Sequence, residues 1–313
     1  MKLDDPTFAN LPRCTELDAL LADVAILGVP HGTPYPDEPS GAVDSPTVIR
    51  RQSIQKWFGL DVWDFDLDGT LLGDSSARVV DCGDLPVEAL NPKGNNKITC
   101  EAMKAVLQAG GVPIVLGGDD SIAIMVVRGF EGFGPINVLQ IDAHIDWRDK
   151  IKNETEGYSS TMRRISEMPW VDKIIQVGMR GKGSARREEF EAGKSRGVRF
   201  ITANTVHKDG VGSVLELIPE GSAWFISLDV DSLDPSIMPA VNYPVPGGFS
   251  YLQLNELLGG LAKKAKIVGL NMVELAPAQD VNNLSAITAA NIIWNVIGMV
   301  VRSPYFKKAS PTK

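Results

Sequence analysis

Three short stretches carry acids in a pattern that chemistry can use. IDAHID (Ile141–Asp146) sets Asp142, His144 and Asp146 at alternate positions. SLDVDSLDP (Ser227–Pro235) does the same with Asp229 and Asp231, followed by Asp234. VLGGDDSI (Val115–Ile122) places Asp119 and Asp120 side by side after two glycines. In an extended chain, alternate residues point to one side, about 6.5–7 Å apart per step. DxHxD therefore aims three ligands one way, and DxD aims two. Like charges at this density are costly unless something positive sits among them. An oxygen-rich set with a single imidazole suits Mn(II)-like hard cations, whereas zinc usually takes more nitrogen or sulfur. Two such cations about 3.5–4 Å apart would let a bridging hydroxide attack a substrate.

Plainer accounts exist for some of these residues. Asp234-Pro235 has the form of a turn, and Asp119 that of a helix cap or a support for its neighbour. DxHxD resists such an account, because three polar residues face one way directly after an apolar run. Of the remaining histidines, His31 in PHGTPYP suits polar packing in a proline-rich loop. His207 in TVHKDG suits the surface.

These stretches must be held by regular elements. Apolar runs predict strands at Val24–Val29, Val62–Phe65, Pro113–Gly117, Ile136–Asp142, Lys173–Gly178, Val198–Thr202, Ala223–Asp231 and Ile267–Leu275. Many are continuously apolar and not alternating, as parallel strands covered on both faces should be. Helical patterns lie between them. SPTVIRRQSIQKWF has proline just inside its start, and ITCEAMKAVLQAGG closes on glycines. SARREEFEAGKSRG and SYLQLNELLGGLAKKA close likewise, and Ser285–Val301 forms a terminal amphipathic helix. About eight strands alternating with helices predict an α/β protein, a three-layer α/β/α sandwich around a mostly parallel sheet. No repeat or linker divides residues 1–313, so one domain is expected. In open sheets of this kind, ligands bind at the carboxyl ends of the strands. The three acidic clusters fall there.

Bulk properties narrow the partners. A net charge of -8 argues against nucleic acid. The three cysteines, Cys14, Cys82 and Cys100, show no paired spacing, which suits a reducing compartment. The start, MKLDDPTFANLPR, has no apolar leader segment. No run predicts a membrane span, and Ile292–Val301 suits a buried helix. A cytoplasmic location is expected.

DFDLDGTLL (Asp64–Leu72) resembles the opening motif of haloacid-dehalogenase-type phosphatases. Here it follows an earlier strand and helix, and it leaves IDAHID and SLDVDSLDP without a role. The better match covers almost the whole chain. GGDDS, DAHID and SLDVDSLDP, in this order and spacing, resemble the ureohydrolase family of arginases, agmatinases and guanidino-acid hydrolases. GVP (Gly28–Pro30), SGAVDSPTVIR (Ser40–Arg50), DCGDLP (Asp81–Pro86) and ELAP (Glu274–Pro277) resemble further family segments.

The resemblance implies two divalent metal ions, most often Mn2+ with Ni2+ in some members, and cleavage of a small cationic guanidino substrate to urea and an amine. It implies Asp120, Asp142, His144, Asp146, Asp229 and Asp231 as ligands, with Asp146 also contacting the catalytic water. Glu274 would hold the guanidinium by charge-assisted hydrogen bonds. It also implies homotrimers or homohexamers. Agmatine-type hydrolysis is the family-level default.

Two departures stand out. Asp120 occupies the position of a metal-binding histidine. Ser159 or Ser160 occupies that of a second histidine, in EGYSSTMRR (Glu156–Arg164), so Ser159 is expected to contact substrate. Trp147 and Arg148, directly after Asp146, are expected to shape the pocket, Trp147 in contact with substrate. Ionised Asp120, Asp142, Asp146, Asp229 and Asp231 would bring -5 against +4 from two metals. The alternative is a helper subunit that keeps the fold and pairs with an active homologue.

Overall fold

The structure, a computed structural model, describes residues 6–35, 40–55, 59–182 and 185–308. The ends of two expected helical patterns, residues 56–58 and residue 184, lie outside these. The first half runs β1 (Val24–Val29), α1 (Ser45–Ser53), β2 (Val79–Asp84), α2 (Pro92–Gln108), β3 (Val112–Gly117), α3 (Ile122–Arg128) and β4 (Ile136–Ile141). The second half runs α4 (Thr161–Ile165), β5 (Val171–Val177), α5 (Arg187–Ser195), β6 (Arg199–Ile201), α6 (Ala203–Asp209), α7 (Gly212–Leu215), β7 (Ala223–Asp229), α8 (Tyr251–Lys264), β8 (Lys266–Val273) and α9 (Leu284–Val301).

One eight-stranded sheet runs in the order β2-β1-β3-β8-β7-β4-β5-β6. Each pairing is parallel. β1, β3 and β4 are buried along their whole length, and β7 from its second residue on, which explains their unbroken apolar runs. Two apolar cores lie on opposite faces. One joins Ile26, Leu228 and Leu270 to α9 and α8; the other joins Leu27, Val115 and Phe225 to α2 and α3. α9 has the length and composition of a membrane span, and in this fold most of it is buried in the first core.

The expected strand Val62–Phe65 is not one. Phe65 is 91% exposed, and the stretch forms a small bridged turn between Asp64 and Gly69. Nothing covers an apolar run of four residues there, so it has no sheet to join. The strand lies instead at Val79–Asp84, across the start of DCGDLP, where it edges β1. Helix α2 begins earlier than expected, at Pro92, because Asn91 accepts a hydrogen bond from Gly94 N at 3.0 Å and caps it.

The first helix is tied to this edge by a buried ion pair. Arg50 on α1 donates from Nε to Asp81 Oδ2 at 2.8 Å and from Nη2 to Asp81 Oδ1 at 3.0 Å. Nη1 meets Asp84. Asp81 also accepts from Phe8 N at 2.7 Å and Gly83 N at 2.9 Å. Removing the guanidinium would strand a fully buried carboxylate. Arg50→Ala is therefore expected to cost about 3–5 kcal/mol of unfolding free energy in urea titrations. A loss below about 1 kcal/mol would show that the pair is dispensable.

Candidate metal centre and cleft

The acids collect at the carboxyl ends of the four central strands. Asp120 follows β3, Glu274 follows β8, Asp229 ends β7, and Asp142 follows β4. They line a cleft of ≈ 670 Å³ together with His144, Asp146 and Asp231; Asp142 sits just beneath, 1% exposed.

The glycines of VLGGDDSI make the turn possible. A Cβ on Gly118 would stand 1.8 Å from His31 O, and one on Gly117 2.5 Å from Ile122 Cδ1. The paired acids then separate. Asp119 Oδ2 accepts from Thr33 N at 2.5 Å, and its Oδ1 accepts from Ser121 N at 3.1 Å. Asp119 is thus spent on holding the turn. Asp120 is fully buried, and neither of its carboxylate oxygens has a hydrogen-bond partner. Its backbone N–H donates to Glu274 Oε1 at 2.9 Å. Glu274 has φ 67, a left-handed backbone held by its own N–H donating to Gly118 O at 2.9 Å.

Two groups of three side chains bring ligand atoms within 4.8 Å of one another. One is Asp120, Asp142 and Asp229; the other is Asp142, His144 and Asp231. Asp142 belongs to both. His144 Nδ1 lies 2.9 Å from Asp231 Oδ2. Asp146, with φ 49, faces the same cleft but completes neither trio. Gln140 Nε2 donates to Asp146 Oδ2 at 2.8 Å and to Asp142 Oδ2 at 2.7 Å.

The electrostatics follow from burial and crowding. Burial first, then like charge, pushes Asp120, Asp146, Asp229 and Glu274 well above the carboxylate range. The same causes, with Asp231 the main neighbour, raise Asp142 to about 7. Burial alone would lower His144, yet Asp142 and Asp231 raise it to about 12. Asp231 ends below its usual value in spite of burial, because His144 sits against it. The site calls for positive charge, and the imidazole supplies what is present.

Sequence reasoning missed the supports. Gln140 and Gln176 face each other in the β4–β5 register. Gln176 Nε2 donates to Gln140 Oε1, and Trp147 Nε1 donates to Gln176 Oε1 at 2.6 Å. Trp147 is 1% exposed and packs in the second core, so it does not line the cleft and cannot touch substrate there. It anchors the glutamine pair that orients Asp142 and Asp146. The signal was available: Gln140 and Asp142 share one face of an otherwise apolar strand. Arg180 was missed too; its Nη2 donates to Asp231 O and Val245 O, each at 2.7 Å, clamping the cleft loop.

Other expected positions are plain. Ser159 lines the cleft, and Ser160 is buried behind it. His31 is buried against Asn95 Nδ2 at 3.0 Å, and His207 is near the surface against Gly247 O. Asp234 makes a turn: it accepts from Ser236 N at 3.0 Å, Gly247 N at 2.8 Å and Gly248 N at 3.2 Å. It thereby closes the loop that carries Asn242 and Tyr243 into the cleft.

A family model described as the arginase family matches residues 22–298. An agmatinase of Pyrococcus horikoshii is 30% identical, covering 90% of this chain and 93% of its own. Human mitochondrial guanidino acid hydrolase is 27% identical, covering 92% of this chain and 80% of its own. The solved proclavaminate amidino hydrolase of Streptomyces clavuligerus aligns with TM-score 0.79 at 26% identity, covering 95% and 97% of the two chains.

Two outcomes are expected. In metal-free protein, Asp120→Asn replaces a buried acid whose charged form is disfavoured by burial and by its acidic neighbours, and raises the thermal midpoint by about 2 °C or more at a pH where the wild-type acid must ionise; an unchanged or lower midpoint would show that the acids do not strain the fold. The second concerns Asp234, held at about 2 by hydrogen bonds from Ser236, then Gly247 and Gly248. Its folded value lies below the unfolded one, so its stabilisation is complete above roughly pH 4 and lost as pH falls toward 2. The stability gap between wild type and Asp234→Asn should be present at pH 6 and close near pH 2 to 3; a gap independent of pH would contradict this.

Proposed function

The chain belongs to the arginase family, and from that premise we propose that it is a binuclear-metal hydrolase splitting a small guanidino compound into urea and an amine. The observation that carries this is Asp120. A fully buried carboxylate with two unpartnered oxygens, among other acids, fits a cation and little else. Asp120, Asp142 and Asp229 would hold one divalent ion; Asp142, His144 and Asp231 would hold the other. Oxygen donors with one imidazole favour Mn2+, with Ni2+ as the less suited choice. When bound, such a pair supplies Lewis acidity and an activated water at neutral pH.

The chain's own groups do the rest. Glu274, at the end of β8, accepts N–H bonds from the planar guanidinium and sets its carbon over the acids. Its remaining geometry is fixed by the Asp120 amide. Asp146, steadied by Gln140, takes the proton of the attacking water at its carboxylate and returns it to the departing amine nitrogen. The water oxygen bonds to the guanidinium carbon, the bond from that carbon to the tail nitrogen breaks, and both water protons end on that nitrogen, so urea and an ammonium leave balanced. Ser159 borders the same space and can orient the substrate's N–H groups.

The test is metal content with urea release. Mn2+-loaded wild type should hold about two ions per chain and yield urea from at least one of agmatine, 4-guanidinobutanoate, arginine, guanidine or a biguanide. Asp120→Asn should lose one ion, and Asp142→Asn, shared by both trios, should lose both. Glu274→Gln should keep the metals while kcat/KM drops at least about tenfold. Loaded protein that releases no urea from any of these overturns the proposal. Metal near zero, with urea only after a homologous subunit is added, would support the helper-subunit alternative.

A further inference from the structure

We propose that the substrate's tail is anionic, a carboxylate or a group of like charge, and that Arg148 and Lys182 are the residues that select it. This rests on the amidino-hydrolase assignment above and adds the chemistry of the substrate's other end.

The cleft is electrically two-ended. Its floor holds the acids already described. Among the described residues, the only lysine or arginine side chains lining it are Arg148 and Lys182. Among the described residues, neither makes a side-chain hydrogen bond to a carboxylate. The acid paired with Arg148 is Glu189, whose Oε1 stands 3.9 Å from Nε, beyond hydrogen-bond reach. Arg148 Nε is buried without any hydrogen-bond partner. Glu189 is committed elsewhere: its Oε2 accepts from Arg186 N at 2.7 Å and caps α5. Lys182 is exposed, and no described carboxylate pairs with it. Arg148 is also fixed in place, its N–H donating to Ser159 O at 3.0 Å.

A guanidino compound bound at Glu274 must run its tail along this cleft. A tail ending in ammonium would meet two cations, and the acids among the described residues that line the cleft are gathered at its floor around the guanidinium. A tail ending in carboxylate would meet the positive charge of the Arg148 guanidinium and an ammonium beside it. Asn242, Tyr158 and Tyr243 line the same space and are neutral, so they do not reverse the choice. The agmatine default therefore gives way to a guanidino acid.

Agmatine and 4-guanidinobutanoate form a matched pair of probes, because they differ chiefly in the charge of the tail. Urea release by the Mn2+-loaded enzyme should favour 4-guanidinobutanoate in kcat/KM by at least about tenfold, the scale of one charge-assisted hydrogen bond. Arg148→Gln and Lys182→Gln should each raise KM for the acid with kcat little changed, and should narrow or reverse the preference. Arg148→Lys should restore part of it. Preference for agmatine by wild type, or an unmoved KM for the acid in both glutamine variants, would overturn the inference. If neither compound yields urea, the hydrolase assignment fails for these substrates while the tail inference is still decided. Calorimetry on the loaded protein should then show 4-guanidinobutanoate binding more tightly than agmatine; equal or weaker binding would sink it.

Discussion

Carboxylates buried side by side repel, and the rest of this fold is arranged to hold them together regardless. Asp120, Asp142, Asp229, Asp231 and Asp146 are all buried within one cleft floor. In water such a set would spread apart. Here each backbone is fixed by a strand end packed in the sheet centre. The repulsion becomes a standing demand for positive charge, which is what a cation site is. His144, whose Nδ1 stands 2.9 Å from Asp231 Oδ2, answers part of that demand from within the protein.

The topology explains how distant segments meet. β3 and β4 follow one another in sequence, yet β8 and β7 lie between them in the sheet. The four strands whose ends supply Asp120, Glu274, Asp229 and Asp142 are therefore contiguous in space. The glutamine pair on β4 and β5 then bridges outward from this centre. It links Asp142 and Asp146 to Trp147 in the second core. A polar contact in the site is thus braced by apolar packing, so its geometry does not depend on solvent-exposed groups.

The acids were legible in the sequence because each interrupts an apolar run at a strand's carboxyl end, and alternation tells which way it points. The strand count was legible for the same reason. What failed did so where local pattern lacked tertiary context. Val62–Phe65 has the composition of a strand, but among the described residues its backbone pairs only locally, at Asp64 with Gly69, and not with the sheet. Trp147 follows Asp146 directly, so adjacency suggested the cleft; its indole turns the other way, into the core. Gln176 and Arg180 lie on or just after a strand whose sequence gives no hint that its neighbour carries the ligands. Pairing register, which no single segment encodes, gives them their roles. The division of labour between Asp119 and Asp120 depended likewise on Thr33 and Glu274, remote in sequence.

The aspartate at position 120 and the two cations along the cleft belong together physically. An aspartate in place of a neutral imidazole adds one negative charge to the floor. That change strengthens the hold on any cation, whether metal or guanidinium, and by itself would make the cleft indifferent to which end of a dicationic compound entered. Two cations on the cleft wall remove that ambiguity. They repel a second positive group and offer a partner to a negative one, so the floor's excess charge is matched by charge of opposite sign along the same cleft. A molecule with a guanidinium at one end and a carboxylate at the other is complementary to both. Asp120 and Arg148 then belong to opposite ends of one electrostatic arrangement, acids at the floor and cations along the same cleft.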